Sequence, residues 1–220
     1  MITDTWHAYF IWAGVCYAGL LVALVGEYRS NTSVSMAGKL IAATTYIVAA
    51  LSLGAMNTTY GRVILGGMGF CWLGDLFLVS RRNRTLFLAG LTSFLAGHVA
   101  YTVAFLMRGV DAAVVAITLA LMAVFAWRAV AWLHPYTDRG MRVPVWLYLA
   151  TISVMMVMAA GTHAAEKNMY LLLGAILFVL SDLAVARNRF VKPAFINRAV
   201  GLPLYFTAQL LLAASVMARA

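Results

Sequence analysis

Charged residues are scarce in this sequence. Only 10% of its 220 residues are charged and 64% are hydrophobic, whereas soluble domains contain about 25% charged and about 45 to 50% apolar residues. This scarcity excludes an ordinary soluble protein and predicts an all-α, polytopic membrane protein. We expect one transmembrane domain over residues 1–220, without a separate soluble domain.

Acidic residues are scarcer than basic ones, with 7 Asp and Glu against 16 Lys and Arg and a net charge of +9. A strongly basic chain can bind nucleic acid, but here the basic residues cluster between apolar stretches and form no basic soluble module. We therefore expect no nucleic-acid partner and attribute the charge to membrane topology.

The sequence has only two cysteines, Cys16 and Cys71. Both fall within apolar stretches, which argues against a disulfide framework and predicts buried thiols that pack as small apolar side chains. The histidines and acidic residues show no recognised metal-ligand spacing. We therefore expect neither a metal nor another cofactor.

Long apolar stretches dominate the chain. A transmembrane helix needs about 20 mostly apolar residues, and eight stretches qualify: 7–25, 37–53, 62–79, 86–107, 110–133, 143–163, 169–186 and 198–217. The first stretch has no basic segment before it and is followed by similar ones, so it is predicted to be a first span and not a removable signal peptide. The sequence thus predicts a bundle of eight transmembrane helices.

The Lys and Arg residues are distributed unevenly between the two sets of loops. One set holds Arg29, Lys39, Arg81, Arg82, Arg84, Arg128, Arg139, Arg142, Arg187, Arg189, Lys192 and Arg198. The other set holds only Arg62, Arg108, Lys167 and Arg219. Because Lys and Arg mark cytoplasmic loops, we expect a protein of the cell (inner) membrane with both termini outside.

Two aspartates occur within apolar stretches in similar settings, Gly74-Asp75-Leu76 and Ser181-Asp182-Leu183. A charged side chain at the centre of a span costs about 2.5 to 3.5 kcal/mol on insertion scales, so such residues are candidates for function. Both spans run in the same direction and both acids lie near the basic loops. We expect the two carboxyl groups close together across a polar cavity that opens toward the inner leaflet, although a purely structural role stays open.

Other polar residues lie in the fourth and eighth spans. His98 and Tyr101 belong to the fourth, Tyr205 and Gln209 to the eighth. At about 1.5 Å of rise per residue, His98 is one to two turns deeper than the aspartates. Because every polar group in a membrane needs a partner, these four side chains either cross-link helices or line the cavity.

The third span is rich in glycine, with Gly66, Gly67, Gly69 and Gly74. Small residues let helix backbones approach closely in a membrane, so the glycines predict tight helix packing.

Arginine can bind a phosphate group with two parallel hydrogen bonds. The basic clusters near the aspartates are therefore candidates for headgroup binding as well as topology signals: Arg81, Arg82, Arg84, Arg187, Arg189 and Lys192.

Four runs of residues occur in an order that resembles a known family. They are LGDLFL at 73–78, GLTSFLAGHVAY at 90–101, GAILFVLSD at 174–182 and YFTAQ at 205–209. Together they resemble the YhhN-type lysoplasmalogenase family over roughly residues 20–215. The resemblance implies an eight-span helical bundle that acts on a lysophospholipid substrate among membrane lipids. It also implies Asp75 and Asp182 as functional acids, and His98, Tyr101, Tyr205 and Gln209 as residues that line the site.

The activity implied by this resemblance is hydrolysis of the vinyl ether bond of lysoplasmalogens, which yields a fatty aldehyde and glycerophosphoethanolamine or glycerophosphocholine. Such a bond is hydrolysed by protonation of its β-carbon, followed by capture of the oxocarbenium ion by water. The first step needs a neutral acid, and the second needs a carboxylate near the cation and the water. Two carboxyl groups in one apolar site resist ionising together, so one pair can hold one proton and supply both roles.

A lipid or proton-coupled transporter is the alternative, because acids within spans also relay protons. Transporter sites typically lie at the midplane between broken helices. Here both acids lie off-centre, and only Pro203 interrupts a span. These features favour the hydrolase.

Overall fold

The computed structural model describes residues 2–78 and 83–217, with side chains from Thr5 onward. In this part of the chain, all the regular structure is helical. The eight α-helices are α1 Ile2–Tyr28, α2 Thr32–Ser52, α3 Thr59–Phe77, α4 Arg84–Leu106, α5 Ala112–Leu133, α6 Arg139–Glu166, α7 Met169–Ala186 and α8 Phe195–Ala214. The predicted all-α fold is confirmed. Each predicted span overlaps one helix, and the end of the third span, residue 79, lies outside the described residues.

Seven of these helices are long and apolar enough to cross a membrane, and α3 is the exception. It contains Arg62, Asp75 and several glycines, which lower its mean hydropathy. It nevertheless packs along α4 and against α2, as part of the same bundle. Length and composition thus support a multi-pass membrane protein.

Polar side chains determine where many of the helices begin. The residue before each of five helices accepts a hydrogen bond from a backbone N–H three residues later, which satisfies a donor that the first helical turn leaves unpaired. These N-cap residues are Asn31, Thr58, Asn83, Asp111 and Asn168. The short polar breaks between the apolar stretches therefore define the helix boundaries.

Successive helices run in alternate directions, so the bundle has two distinct ends. We call the end where α1, α3, α5 and α7 finish the basic end. There Glu27 of α1 pairs with Lys39 of α2 and Arg198 of α8. At the opposite end Arg108 pairs with Glu166 at 3.2 Å. Which end is cytoplasmic stays a prediction. Arg81, Arg82 and Arg219, which entered that prediction, lie outside the described residues.

The helices are not equally buried. The α8 helix is central and packs against α7, α2 and α1, whereas α5 packs mainly on α6 and leaves most of its surface exposed. Helices α3 and α4 approach closely at glycines: a β-carbon added to Gly74 would lie 2.6 Å from the Phe94 ring, and one added to Gly67 would lie 2.5 Å from Tyr101. The tight-packing prediction is confirmed for these two glycines. It is wrong for Gly66 and Gly69, because a β-carbon there would have no neighbour within 4 Å.

Candidate functional site

A cavity of about 470 Å³ lies toward the basic end of the bundle, between helices α2 to α8. Its wall is mostly apolar, with side chains such as Phe87, Leu91, Phe94, Phe125 and Ile152. Its polar and charged lining includes Lys39, Asp75, Tyr148, Ser181, Asp182, Arg189, Arg198 and Tyr205. Ligand pockets commonly have volumes of about 300 to 1,000 Å³, mostly apolar walls and a few convergent polar groups. The structure therefore places both aspartates on one cavity of that type.

Asp75 belongs to a hydrogen-bonded network that extends away from the cavity. The Tyr205 hydroxyl donates to its Oδ2 at 2.6 Å, and that hydroxyl lies 3.3 Å from both the Tyr46 hydroxyl and Nε2 of Gln209. The Tyr101 hydroxyl in turn donates to Oε1 of Gln209 at 2.7 Å. Tyr101 and Gln209, predicted to line the site, are fully buried behind Tyr205 and do not line the cavity.

Asp182 has its own tyrosine and a histidine. The Tyr148 hydroxyl donates to Oδ2 of Asp182 at 2.7 Å, and Nε2 of His98 lies 3.9 Å from the same oxygen. Nδ1 of His98 is 2.7 Å from the Phe94 carbonyl oxygen, which can only accept, so we assign the ring hydrogen to Nδ1. In the neutral ring, Nε2 then carries a lone pair that can accept a hydrogen bond. Among the described residues Nε2 has no hydrogen-bond partner.

His98 is closer to Asp182 than the count of helical rise indicates. Side chains lean toward the N-terminus of their own helix, and α4 and α7 run in opposite directions. His98 therefore leans toward the basic end, while Asp182 leans away from it. This mutual lean brings the two side chains together, although the helical rise predicts His98 one to two turns deeper than the acids.

The two acids have matching surroundings. Asp75 and Asp182 lie on the parallel helices α3 and α7, and each accepts a hydrogen bond from a tyrosine on an antiparallel helix, α8 or α6. The Phe178 ring lies between the two groups, with its centroid 4.6 Å from the His98 ring and 5.4 Å from the Tyr205 ring. The acids thus form two similar carboxyl–tyrosine pairs around one cavity.

A cluster of charges lies on the same cavity at the basic end. Glu27 pairs with Lys39 at 3.3 Å and with Arg198, and both cations line the cavity. Arg189 also lines it and stacks over the Phe87 ring at 4.2 Å. Glu27 was not predicted from the sequence, where its only signal is an acid near the end of a mainly apolar helix. Tyr148 was likewise not predicted as a partner of Asp182, since nothing in the sequence joins these two positions.

The predicted basic residues are only partly brought to this cavity. Arg187 donates to Oδ1 of Asn197 and lines a second groove, of about 460 Å³, together with Arg128 on α5. Arg84 lies beside Gly140 at the start of α6, and neither Arg84 nor Lys192 lines the cavity. Arg81 and Arg82 lie outside the described residues. Of the predicted headgroup residues, Arg189 alone is placed on the cavity by the described structure.

Metal ligands do not gather in the described ranges, because no three His, Cys, Asp or Glu side chains of residues 2–78 and 83–217 come together. Cys16 and Cys71 are buried free thiols. The groups that can carry chemistry on this cavity are therefore carboxyls, phenols, an imidazole behind the wall and three cations.

Comparisons with known proteins agree with the sequence motifs. The YhhN family model matches residues 34–216. The chain is 30% identical over 160 residues to a bovine (Bos taurus) protein named lysoplasmalogenase TMEM86A, and 31% identical over 160 residues to its human (Homo sapiens) counterpart. Each match covers 70% of this chain and 65% of the relative, so the matched region spans about two thirds of these relatives' length. No solved structure matches the chain.

Proposed function

The chain belongs to the YhhN family, and we propose that it is a membrane hydrolase that cleaves the vinyl ether bond of lysoplasmalogens. The products would be a fatty aldehyde and glycerophosphoethanolamine or glycerophosphocholine. One observation supports this proposal above all: Asp75 and Asp182 line one mostly apolar cavity, and each is held by a tyrosine hydroxyl. Two relatives carry the name lysoplasmalogenase.

The reaction begins with transfer of a proton from a carboxylic acid to the β-carbon of the vinyl ether. The double-bond electrons form the new C–H bond, and the ether oxygen shares the positive charge with the α-carbon. Water then adds to the α-carbon, and its proton passes to the carboxylate of the pair. The resulting hemiacetal breaks its bond to the glycerol oxygen, which takes a proton as the aldehyde leaves. Atoms and charges balance without a co-reactant other than water.

Asp75 and Asp182 would share these roles as a unit that holds one proton, because two acids in one apolar site do not ionise independently. Tyr205 and Tyr148 would orient the two carboxyl groups through the hydrogen bonds they donate. An acid fixed within reach of the reacting carbon contributes typically about 10² to 10⁴-fold to the rate. The apolar wall keeps bulk water away from the cation and strengthens its attraction to the carboxylate.

His98 would act as a positioning residue for Asp182 and not as the main acid. Its Nε2 lies 3.9 Å from Oδ2 of Asp182, which is too long for a direct hydrogen bond, so a protonated Asp182 that moves closer or a bridging water would satisfy the lone pair. The ring does not line the cavity. His98 would therefore influence the reaction through the orientation of Asp182.

Purified protein in detergent tests this function. It should release fatty aldehyde from a lysoplasmalogen, with or without a chelator, and should leave the saturated 1-alkyl analogue intact because that lipid has no double bond to protonate. Cleavage of both lipids, or activity that disappears with chelator and returns with zinc, would contradict the mechanism. Lipid movement without turnover in proteoliposomes would favour a transporter.

The same proposal assigns the basic end of the bundle to the cytoplasmic face of the cell membrane, with both termini outside. The support is the concentration of Lys and Arg in the loops at that end. The cavity would then open toward the inner leaflet, where a single-chain lipid could reach the acids.

A further inference from the structure

Three charged side chains meet at the basic end of the cavity, where α1, α2 and α8 converge. Oε1 of Glu27 lies 3.3 Å from Nζ of Lys39 and accepts a hydrogen bond from Oγ of Ser35 at 2.6 Å, and Oε2 pairs with Arg198. The side chains of Lys39 and Arg198 are 19% and 22% exposed, against 1% for Glu27. The carboxylate thus lies behind the wall and the two cations line the cavity.

This arrangement suits an anion in the cavity. The Glu27 carboxylate pairs with both cations, and Lys39 also interacts electrostatically with Asp75. Taken by themselves, the Glu27, Lys39 and Arg198 side chains carry one net positive charge. A guanidinium offers five N–H donors in a planar fork that matches phosphate oxygens. Without the carboxylate, two neighbouring cations in a membrane protein would repel each other and lose their solvation. Glu27 therefore explains how the pair of cations can be kept beside an apolar cavity.

We propose that Lys39 and Arg198 bind the phosphodiester of the lysolipid headgroup, and that Glu27 positions both cations. The inference rests on the proposed function and adds to it the site that recognises the phosphate. It differs from the headgroup residues predicted from the sequence, because Arg187 lies on the neighbouring groove.

The length of the substrate fits this position. Arg198 and Tyr205 lie seven residues apart on α8, which corresponds to about 10 Å along the helix axis. In a lysoplasmalogen, seven covalent bonds separate the phosphorus from the β-carbon of the vinyl ether, or about 8 Å for an extended chain at about 1.2 Å per bond. A phosphate bound at Arg198 therefore places the double bond near Tyr205, and hence near Asp75, which accepts its hydrogen bond.

The test compares two substrates that differ only in the phosphocholine headgroup. One is a choline lysoplasmalogen, and the other is the 1-alkenylglycerol of the same chain length. We expect Arg198→Gln and Lys39→Gln to lower kcat/KM for the phospholipid by about 10- to 100-fold, the effect of losing a hydrogen bond to a charged group. Arg198→Gln should change kcat/KM for the alkenylglycerol by less than about 3-fold. Lys39→Gln should lower it as well, because Lys39 also interacts electrostatically with Asp75, so Arg198→Gln is the deciding variant. The matched control is Arg128→Gln, on the neighbouring groove, which should affect neither substrate.

Thermal unfolding of each variant shows whether it folds. If Arg198→Gln does not fold, Arg198→Lys can replace it, because lysine keeps the positive charge but lacks the planar guanidinium with its paired N–H donors. Arg198→Lys should still reduce the preference for the phospholipid by about 3- to 10-fold. Equal losses on both substrates in the Arg198 variant, or no loss on either, would overturn the proposal. Inorganic phosphate that binds the wild type more tightly than a saturated 1-alkyl lysophosphocholine would assign the site to free phosphate and also overturn the proposal.

A binding measurement separates this inference from the hydrolase function. Isothermal titration in detergent with a saturated 1-alkyl lysophosphocholine and with the matching 1-alkylglycerol needs no turnover. Wild type should bind the phospholipid at least about 10-fold more tightly, and Arg198→Gln should remove that difference. If this holds while no aldehyde is released from any vinyl ether, the hydrolase proposal fails and the phosphate site stands. If aldehyde is released but binding shows no preference, the phosphate site fails alone.

Discussion

The Tyr205 hydroxyl donates a hydrogen bond of 2.6 Å to Oδ2 of Asp75, across 130 positions of sequence. The same hydroxyl is within 3.3 Å of Tyr46 and Gln209, so its orientation is fixed by several contacts. Asp182 has a similar donor in Tyr148. This repeated arrangement gives the two acids equivalent support.

Replacement of either aspartate should abolish most of the activity. Asp75→Asn and Asp182→Asn keep the shape of the side chain, but an amide cannot donate or accept the transferred proton. Each variant should therefore lower kcat by about 10² to 10⁴-fold. Because the two residues act as one unit, the double variant should be little worse than the poorer single one. Asp111→Asn is the control, since asparagine also serves as an N-cap and Asp111 starts α5 at the opposite end. An Asp75→Asn or Asp182→Asn variant with normal kcat would contradict these assignments.

Loss of either tyrosine donor should lower kcat less than loss of either aspartate. Tyr205→Phe and Tyr148→Phe each remove one hydrogen bond to a carboxyl group, which corresponds to a loss of about 10-fold in kcat at about 1.5 kcal/mol. Tyr46→Phe is the comparison, because Tyr46 contacts the Tyr205 hydroxyl but not Asp75. Its effect on kcat should be smaller than that of Tyr205→Phe. A larger effect for Tyr46→Phe would contradict the assignment of Tyr205 as the residue that orients Asp75.

His98→Ala should reduce kcat less than either Asp→Asn variant. The imidazole lies beside Asp182 but behind the cavity wall, so we expect a loss of about 3- to 10-fold, the range of a neutral hydrogen bond. The ring is fully buried, and the variant should also unfold at a lower temperature because it leaves a cavity. His98→Gln fills more of that space, so a comparison of the two variants separates the loss of packing from the loss of the contact that positions Asp182. An inactive His98→Ala beside an active Asp→Asn variant would move the chemistry to the histidine.

Membrane orientation can be tested with single cysteines in a Cys16→Ala, Cys71→Ala background. Asn57 and Tyr136 are exposed residues at opposite ends of the bundle. In intact cells, an impermeant maleimide should label Asn57→Cys and should label Tyr136→Cys only after the membrane is opened. The reverse pattern would invert the orientation proposed from the Lys and Arg distribution.

The helices were predictable from sequence because the bilayer imposes a length and an apolar composition on each span. The two aspartates were predictable for the related reason that acids are rare inside spans. Their partners were not, because sequence carries no direct signal for contacts between distant positions. Glu27 and Arg198, for example, are 171 positions apart.

Side-chain direction was the other quantity that sequence left undetermined. Tyr101 and Gln209 were correctly found as polar residues, but their rotation about α4 and α8 directs them toward each other behind Tyr205. Arg187 begins a π-helical turn, Arg187–Val191, whose angular step differs from that of an α-helix. In this turn Arg187 lines the second groove while Arg189 lines the cavity.

The most direct test of the central claim is the mass of both products after hydrolysis of a choline lysoplasmalogen in D₂¹⁸O. Protonation of the β-carbon and attack of water on the α-carbon predict one deuterium on the aldehyde carbon next to the carbonyl, and glycerophosphocholine without ¹⁸O. The label pattern should be the same for the residual activity of Tyr205→Phe, since that variant keeps both acids. Aldehyde without deuterium, or glycerophosphocholine that carries ¹⁸O, would contradict acid–base cleavage of the vinyl ether by Asp75 and Asp182.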